Sequence, residues 1–188
     1  MRKSLITAVV TASLFTLAAC GNEDDTGTAG GHNEADVTFA LDMIPHHQQA
    51  IEMADLAESR AESQEVKDLA TDIEAAQGPE IETLTGWLES WGEDVPDEDM
   101  SGMDHGDMSS DDMGGMMSDD DMASLGTATG AEFDQMFLTM MIEHHTGAIE
   151  MAKTEQQDGE NPDAIALAEK IEADQTAEIA QMEDLLGS

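Results

Sequence analysis

Two similar segments of this chain carry the histidine and methionine side chains that could do chemistry. Each has a methionine, two adjacent histidines and a second methionine, and the second copy follows the first by 98 residues. The residues are Met43, His46, His47 and Met53 in one copy and Met141, His144, His145 and Met151 in the other. Thioether and imidazole groups suit soft metal ions, so the pattern predicts a site for Cu(I) or silver rather than for Mg²⁺ or Ca²⁺. A buried methionine stripe with histidines satisfied by carboxylates is the alternative interpretation.

The spacing of these residues predicts that both segments are helical. Met43, His46/His47, Ala50 and Met53 recur at intervals of three and four, which places them on one helix face. Each second histidine of a pair follows a methionine by one helical turn, so imidazole and thioether can converge on one point. Whether the two histidine pairs form one site or two stays open.

A second predicted helix in each copy extends the repeat. Ser63 and Asn161 have the residue types of helix N-caps, and Asp36 and Asp134 are expected to cap the first helices. Ile73, Gln77, Glu80 and Leu84 recur 98 residues later as Ile171, Gln175, Glu178 and Met182. The predicted fold is all-α: an antiparallel four-helix bundle made of two repeated helical hairpins, residues 35–92 and 130–188.

The segment between the hairpins, residues 93–129, is rich in methionine, aspartate and glycine and lacks a helical or strand period. It is predicted to be a disordered linker whose thioethers and one imidazole act as secondary metal ligands. An inert spacer and an oxidant sink are the alternatives. The candidate ligands are Met100, Met103, His105, Met108, Met113, Met116 and Met117.

The N-terminus predicts export. Arg2 and Lys3 precede an apolar run that ends in Leu-Ala-Ala-Cys at Cys20, the only cysteine. This ending resembles the lipobox of bacterial lipoproteins, which implies a signal peptide over 1–19, lipid attachment at Cys20 and a flexible tether over 20–34. The protein is then expected to be anchored to the outer face of the bacterial cell membrane.

The formal net charge of -37 makes nucleic acid an unsuitable partner. The same charge concentrates cations near the protein, although a generic solvated or salt-adapted surface explains it equally well.

With these residues in place, the sequence resembles a ferritin-like family, domain of unknown function 305, over Asp36 to Trp91 and Phe133 to Leu186. The shared pattern comprises an aspartate, a phenylalanine, the Met and His-His group and a later Gln and Glu. The resemblance implies a four-helix bundle, often exported, with some relatives similar to periplasmic copper-binding chaperones. Two departures stand out: Ala35 occupies the position of Phe133, and Glu143 that of Pro45.

The leading hypothesis is a membrane-anchored, extracytoplasmic protein that buffers copper or silver or passes it to a copper donor or acceptor protein. An envelope interaction protein with pH-responsive histidines is one alternative. A di-iron oxidase is another, but neither copy has the Glu-x-x-His spacing that such sites use. We therefore expect no enzymatic activity.

Overall fold

The computed structural model describes residues 31–96 and 114–187, in which the regular elements are helices. The predicted all-α class is confirmed. The predicted signal peptide, Cys20, Met100, Met103, His105, Met108 and Met113 lie outside the described residues. The elements are α1 (Glu34–Asp55), α2 (Ala57–Arg60), α3 (Gln64–Trp91), α4 (Asp119–Thr127), α5 (Ala131–Asp158) and α6 (Pro162–Leu186).

The helix starts follow the predicted caps in part. The side chains of Ser63 and Asn161 accept hydrogen bonds from the first turns of α3 and α6, as their residue types predict. Asp36 is not an N-cap: Asn33 is, and Asp36 accepts from the Asn33 N–H at 2.6 Å in a capping box. Asp134 likewise lies inside the first turn of α5, after Gly130.

Asp36 and Asp134 instead connect the two sequence copies. Asp36 of α1 accepts from the backbone N–H of Asn161 at 2.9 Å, at the start of α6. Asp134 of α5 accepts from the backbone N–H of Ser63 at 2.9 Å and of Glu62 at 3.0 Å, at the start of α3. The first helix of each copy therefore satisfies unpaired donors at the start of the other copy's second helix.

The packing of the long helices places the histidines in the middle of the core. α1 packs along α3, α5 packs along α6, and α1 also contacts α5. One apolar cluster contains Phe39, Met43 and Ala152, and a second contains Met53, Phe137 and Met141. A buried polar layer lies between these clusters in sequence. α1 and α5 contribute His46, His47, His144 and His145, and α3 and α6 contribute Gln77, Glu80 and Gln175.

The prediction that residues 93–129 form a structureless linker is wrong for its C-terminal part. α4 lies within that range, because Ser118 and Asp121 form a capping box and Leu125 is fully buried. Met117 is also buried. Among the described helices, none has the length and apolarity needed to cross a bilayer.

Candidate functional site

Four buried histidines converge from two helices. α1 supplies His46 and His47 and α5 supplies His144 and His145, all with 0% exposure. The rings of His46 and His144 lie over each other, with centroids 3.7 Å apart and planes tilted by 39°. The structure therefore brings the two sequence copies together at these residues.

The second histidine of each pair is held by a carboxylate from the neighbouring helix. His47 Nε2 lies 2.8 Å from Glu80 Oε2, and His145 Nε2 lies 2.6 Å from Glu178 Oε2. An ionised carboxylate only accepts hydrogen bonds, so each Nε2 carries the proton and donates it. In a neutral ring the lone pair is then on Nδ1, and both Nδ1 atoms are buried without a hydrogen-bond partner in residues 31–96 and 114–187. Carboxylates fix metal-binding histidines in this way.

Lys170 makes the two carboxylates unequal. Its Nζ lies 2.8 Å from Glu80 Oε1 and 2.8 Å from Asp174 Oδ2. Burial opposes ionisation of Glu80, but the hydrogen bonds from His47 and Lys170 outweigh it, so the pKa of Glu80 is lowered. Asp72 stands at the position of Lys170 in the other copy, so Glu178 has no cation at the equivalent position.

His46 and His144 are held in the neutral form. Burial lowers the pKa of His46 to about 3, and the neighbouring His47 and His145 add to this effect. Burial, followed by the charges of His46 and His145, also places the pKa of His144 well below its usual range. The Gly114 backbone slightly opposes this lowering of the His46 pKa, but its geometry relative to the ring is not that of a hydrogen bond. At neutral pH both rings keep a free lone pair.

The layer contains an unusual concentration of unpaired polar atoms. Both ring nitrogens of His46 and of His144 lack a hydrogen-bond partner among the described residues, as do both amide atoms of Gln77. Leaving a buried polar atom unpaired costs about 1–3 kcal/mol. Neutral imidazoles with unpaired nitrogens fit a soft metal ion, so the donor set suits the predicted cargo.

The methionines divide into two groups. Met43 and Met141 are fully buried, and each lies about one turn from its histidine pair. Met53 and Met151 follow His46 and His144 by seven residues, about 10 Å along the helix axis. Within residues 31–96 and 114–187, no three His, Cys, Asp or Glu side chains are grouped to hold a metal.

The segment from Gly114 to Met117 packs beside the histidine layer. Gln49 of α1 accepts from the Met117 N–H at 2.7 Å and donates to the Met117 carbonyl at 2.9 Å. Gly147 of α5 allows the close approach of Gly114, whose carbonyl oxygen would lie 1.8 Å from a Cβ on Gly147. Gly115 has φ +87° beside the His144 carbonyl, a conformation that favours glycine. Met116 and Met117, both predicted ligands, are thus next to α1 and α5.

Sequence reasoning missed these contacts. Gln49 and Gly147 occupy equivalent positions in the two copies. The difference between these two residues was the available signal that the 114–117 segment contacts both α1 and α5. The recurrence of Glu80 and Glu178 was visible, but their pairing with His47 and His145 depends on the approach of α3 and α6.

This fold and site define a class of helical protein whose core is divided by buried histidines, two of which are paired with carboxylates. Residues 36–186 match the family described as Domain of unknown function (DUF305), and the chain belongs to that family. No curated protein matches the chain.

Solved structures of related proteins extend this assignment. A DUF305 protein from Streptomyces coelicolor, described as a candidate secreted protein, is 35% identical with a TM-score of 0.72, covering 81% of this chain and 92% of that one. A DUF305 fragment from Deinococcus radiodurans is 29% identical with a TM-score of 0.72, covering 82% and 97%. CopM in its Cu(II)-bound form is 36% identical with a TM-score of 0.68, covering 81% and 95%. CopM also has Cu(I)-bound and Ag-bound forms.

Proposed function

We propose that this protein binds Cu(I) or silver in an extracytoplasmic compartment through the buried histidine layer and buffers the ion or transfers it to another protein. The convergence of His46 and His144, both neutral and both without a hydrogen-bond partner in the part of the chain that the structure describes, carries the proposal. The metal is the cargo of this protein, and no turnover is required.

The chemistry of the layer favours a soft cation. Neutral imidazole donates a lone pair without prior loss of a proton, and Met43 and Met141 lie within a turn of the rings. His47 and His145 present Nδ1 because Glu80 and Glu178 hold Nε2. The carboxylates supply negative charge next to the rings, which offsets the positive charge of an entering ion.

The relation to CopM supports the choice of metal. CopM has been crystallised with Cu(II), Cu(I) and Ag, and it shares about a third of its residues with this chain. We extend its ligand class to this chain because the residue types of the histidine layer suit the same ions.

The location and the finer architecture belong to the same proposal. Export is supported by the description of the Streptomyces coelicolor protein, and anchoring by lipid at Cys20 rests on the lipobox-like ending. An antiparallel, ferritin-like four-helix bundle of two repeated hairpins is supported by the packing of α1 on α3 and α5 on α6. The shared cluster of Phe39 near the start of α1 and Ala152 near the end of α5 favours an antiparallel pair.

The experiment is a Cu(I) titration of the chain from Gly21 onward against a competing Cu(I) chelator. We compare it with His46→Gln/His144→Gln, with a chain lacking residues 97–113, and with His32→Gln. His32 is the matched control because it stacks on Trp91, with ring centroids 4.6 Å apart, outside the histidine layer. Thermal unfolding of each variant shows that it is folded.

We expect the double histidine variant to lose the most tightly bound Cu(I) ion and the other two variants to retain it. Retention of that equivalent in the double variant contradicts the proposed centre. If deletion of 97–113 alone removes Cu(I) binding, the linker is the site and the histidine layer is structural. Preference for Zn²⁺ over Cu(I) contradicts the proposed cargo.

A further inference from the structure

A candidate second site lies toward the start of α1 and the end of α5, beyond the histidine layer. A cleft of about 480 Å³ opens between the start of α1 and the end of α5. Ala35, Phe39 and Met151 line its apolar part, and Glu155 lies at its base with 1% exposure. Glu34 and Asp42 line it nearer the solvent, and no Lys, Arg or His side chain is among its described lining residues.

Comparison of the two sequence copies shows how the cleft arises. Ala35 stands where the second copy has Phe133, which is fully buried and belongs to the same cluster as Met53 and Ala57. The Phe133 ring also stacks on Phe137, with centroids 5.8 Å apart. Phe39, the equivalent of Phe137, has an alanine in place of that stacking partner. The volume of a phenyl ring is therefore missing from the first copy.

The opposite wall changes from apolar to polar. Thr154 and Glu155 replace Leu56 and Ala57 of the other copy. No N–H or O–H group among the described residues donates to either carboxyl oxygen of Glu155, whose polar neighbour is Asp36. Burial, followed by contact with Asp36, raises the pKa of Glu155 to about 8. Glu155 lies beside Asp36 and receives no hydrogen bond of its own from the described residues, an arrangement that favours a proton shared between the two carboxyl groups or a bound cation.

We propose that this cleft binds a small organic cation that combines an apolar group about the size of a phenyl ring with an ammonium group. The ring takes the space that Phe133 fills in the other copy, against Ala35, Phe39 and Met151. The ammonium group donates hydrogen bonds to Glu155, and the charges of Glu34 and Asp42 attract the cation. This site is independent of the proposed metal cargo.

The test uses three probes of nearly equal size: benzylammonium, benzyl alcohol and phenylacetate. The readout is the methyl signal of Met151 in protein labelled with ¹³C-methyl methionine, and the internal control is the methyl signal of Met53, the equivalent residue of the other copy. Benzylammonium should shift the Met151 signal saturably, benzyl alcohol should bind roughly tenfold more weakly because it lacks the charge, and phenylacetate should not bind.

Two substitutions introduce the residues of the other copy. Ala35→Phe should fill the cleft and abolish the shift, and Glu155→Ala should remove the preference for benzylammonium over benzyl alcohol. Glu132→Gln, at the position equivalent to Glu34, is the matched control and should leave binding unchanged.

Equal shifts with all three probes, or a shift that persists in Ala35→Phe, would overturn the proposal. A site for inorganic cations is indicated instead if CaCl₂ alone moves the Met151 signal, and this also overturns it. Cu(I) binding should be unchanged in Ala35→Phe, so the two proposals fail separately.

Discussion

At the scale of single residues, the pairs His47–Glu80 and His145–Glu178 determine what the site can do. Each carboxylate fixes the proton on Nε2 and leaves the buried Nδ1 as the free donor atom. The imidazole is thus oriented before any ligand arrives, which removes part of the cost of ordering it on binding.

Replacing Glu80 by Gln tests this orientation. The amide retains the shape but can present its NH₂ group to Nε2, and it loses the charge that makes imidazole a better donor. We expect Cu(I) affinity to fall by about 10- to 100-fold, the usual effect of losing such a partner. The measurement is a chelator competition, with Glu82→Gln as the exposed control on the same helix. Unchanged affinity in Glu80→Gln would show that His47 is not a ligand.

His46 and His144 should make the stability of the metal-free protein depend on pH. The pKa of His46 is about 3 in the folded state against 6.5 for an ordinary histidine, and that of His144 is lowered as well. Above pH 6.5 the two rings are neutral in both the folded and the unfolded chain, so their titration takes nothing from the stability of the folded state. As pH falls below 6.5 the unfolded chain takes up protons that the folded chain does not, so stability is lost down to about pH 3.

We expect a loss of about 1.4 kcal/mol per pH unit for each of these two histidines. Urea unfolding between pH 6.5 and 5 measures it as the difference in slope between wild type and His46→Gln/His144→Gln, because the raised pKa of Glu155 contributes a slope of opposite sign to both proteins. The slope should be smaller in His46→Gln/His144→Gln. Equal slopes in wild type and the double variant would show that the two rings are charged or hydrated in the folded state.

At the scale of elements, the segment from Gly114 to Met117 ties the linker to the histidine helices. Its contacts use residues that differ between the copies, Gln49 on α1 and Gly147 on α5. The fixed end of the Met-rich linker is consequently next to the layer in which His144 lies.

Gly147→Ala should release this segment. The new methyl group would meet the Gly114 carbonyl, which is backbone and cannot rotate away. We expect a destabilisation of about 1–3 kcal/mol, as for other overpacking substitutions. Hydrogen exchange of the Met117 amide, which donates to Gln49, reports the release directly.

Gly86→Ala is the matched control for this experiment. Gly86 also lies inside a helix, but a Cβ there has nothing within 4 Å. Removal of a glycine from an exposed helix interior should therefore stabilise the protein by about 0.5–1 kcal/mol. If both substitutions stabilise the protein, the 114–117 segment is not packed against Gly147.

At the scale of the whole molecule, Asp36 and Asp134 hold the two sequence copies together. Each aspartate caps the start of a helix that belongs to the other copy. Asp134→Ala leaves the amides of Glu62 and Ser63 without their acceptor, so we expect a loss of about 1–3 kcal/mol of unfolding free energy. Glu132→Ala is the control in the same urea titration, because Glu132 is exposed and lies two residues away in the same first turn of α5. Equal effects of the two substitutions would mean that this contact contributes no specific stability.

The sequence by itself determined the helices and the residues with soft-ligand chemistry, because both are encoded in local spacing and residue type. The 98-residue repeat placed the histidine pairs at equivalent positions, and Ser63 and Asn161 marked two helix starts. Local pattern could not tell that Asp36 and Asp134 bond to the opposite copy, since those partners are 124 to 125 and 71 to 72 residues away. Nor could it tell that His46 meets His144, or that Met117 enters the core. These features depend on how α1 and α5 approach each other, which only the tertiary structure decides.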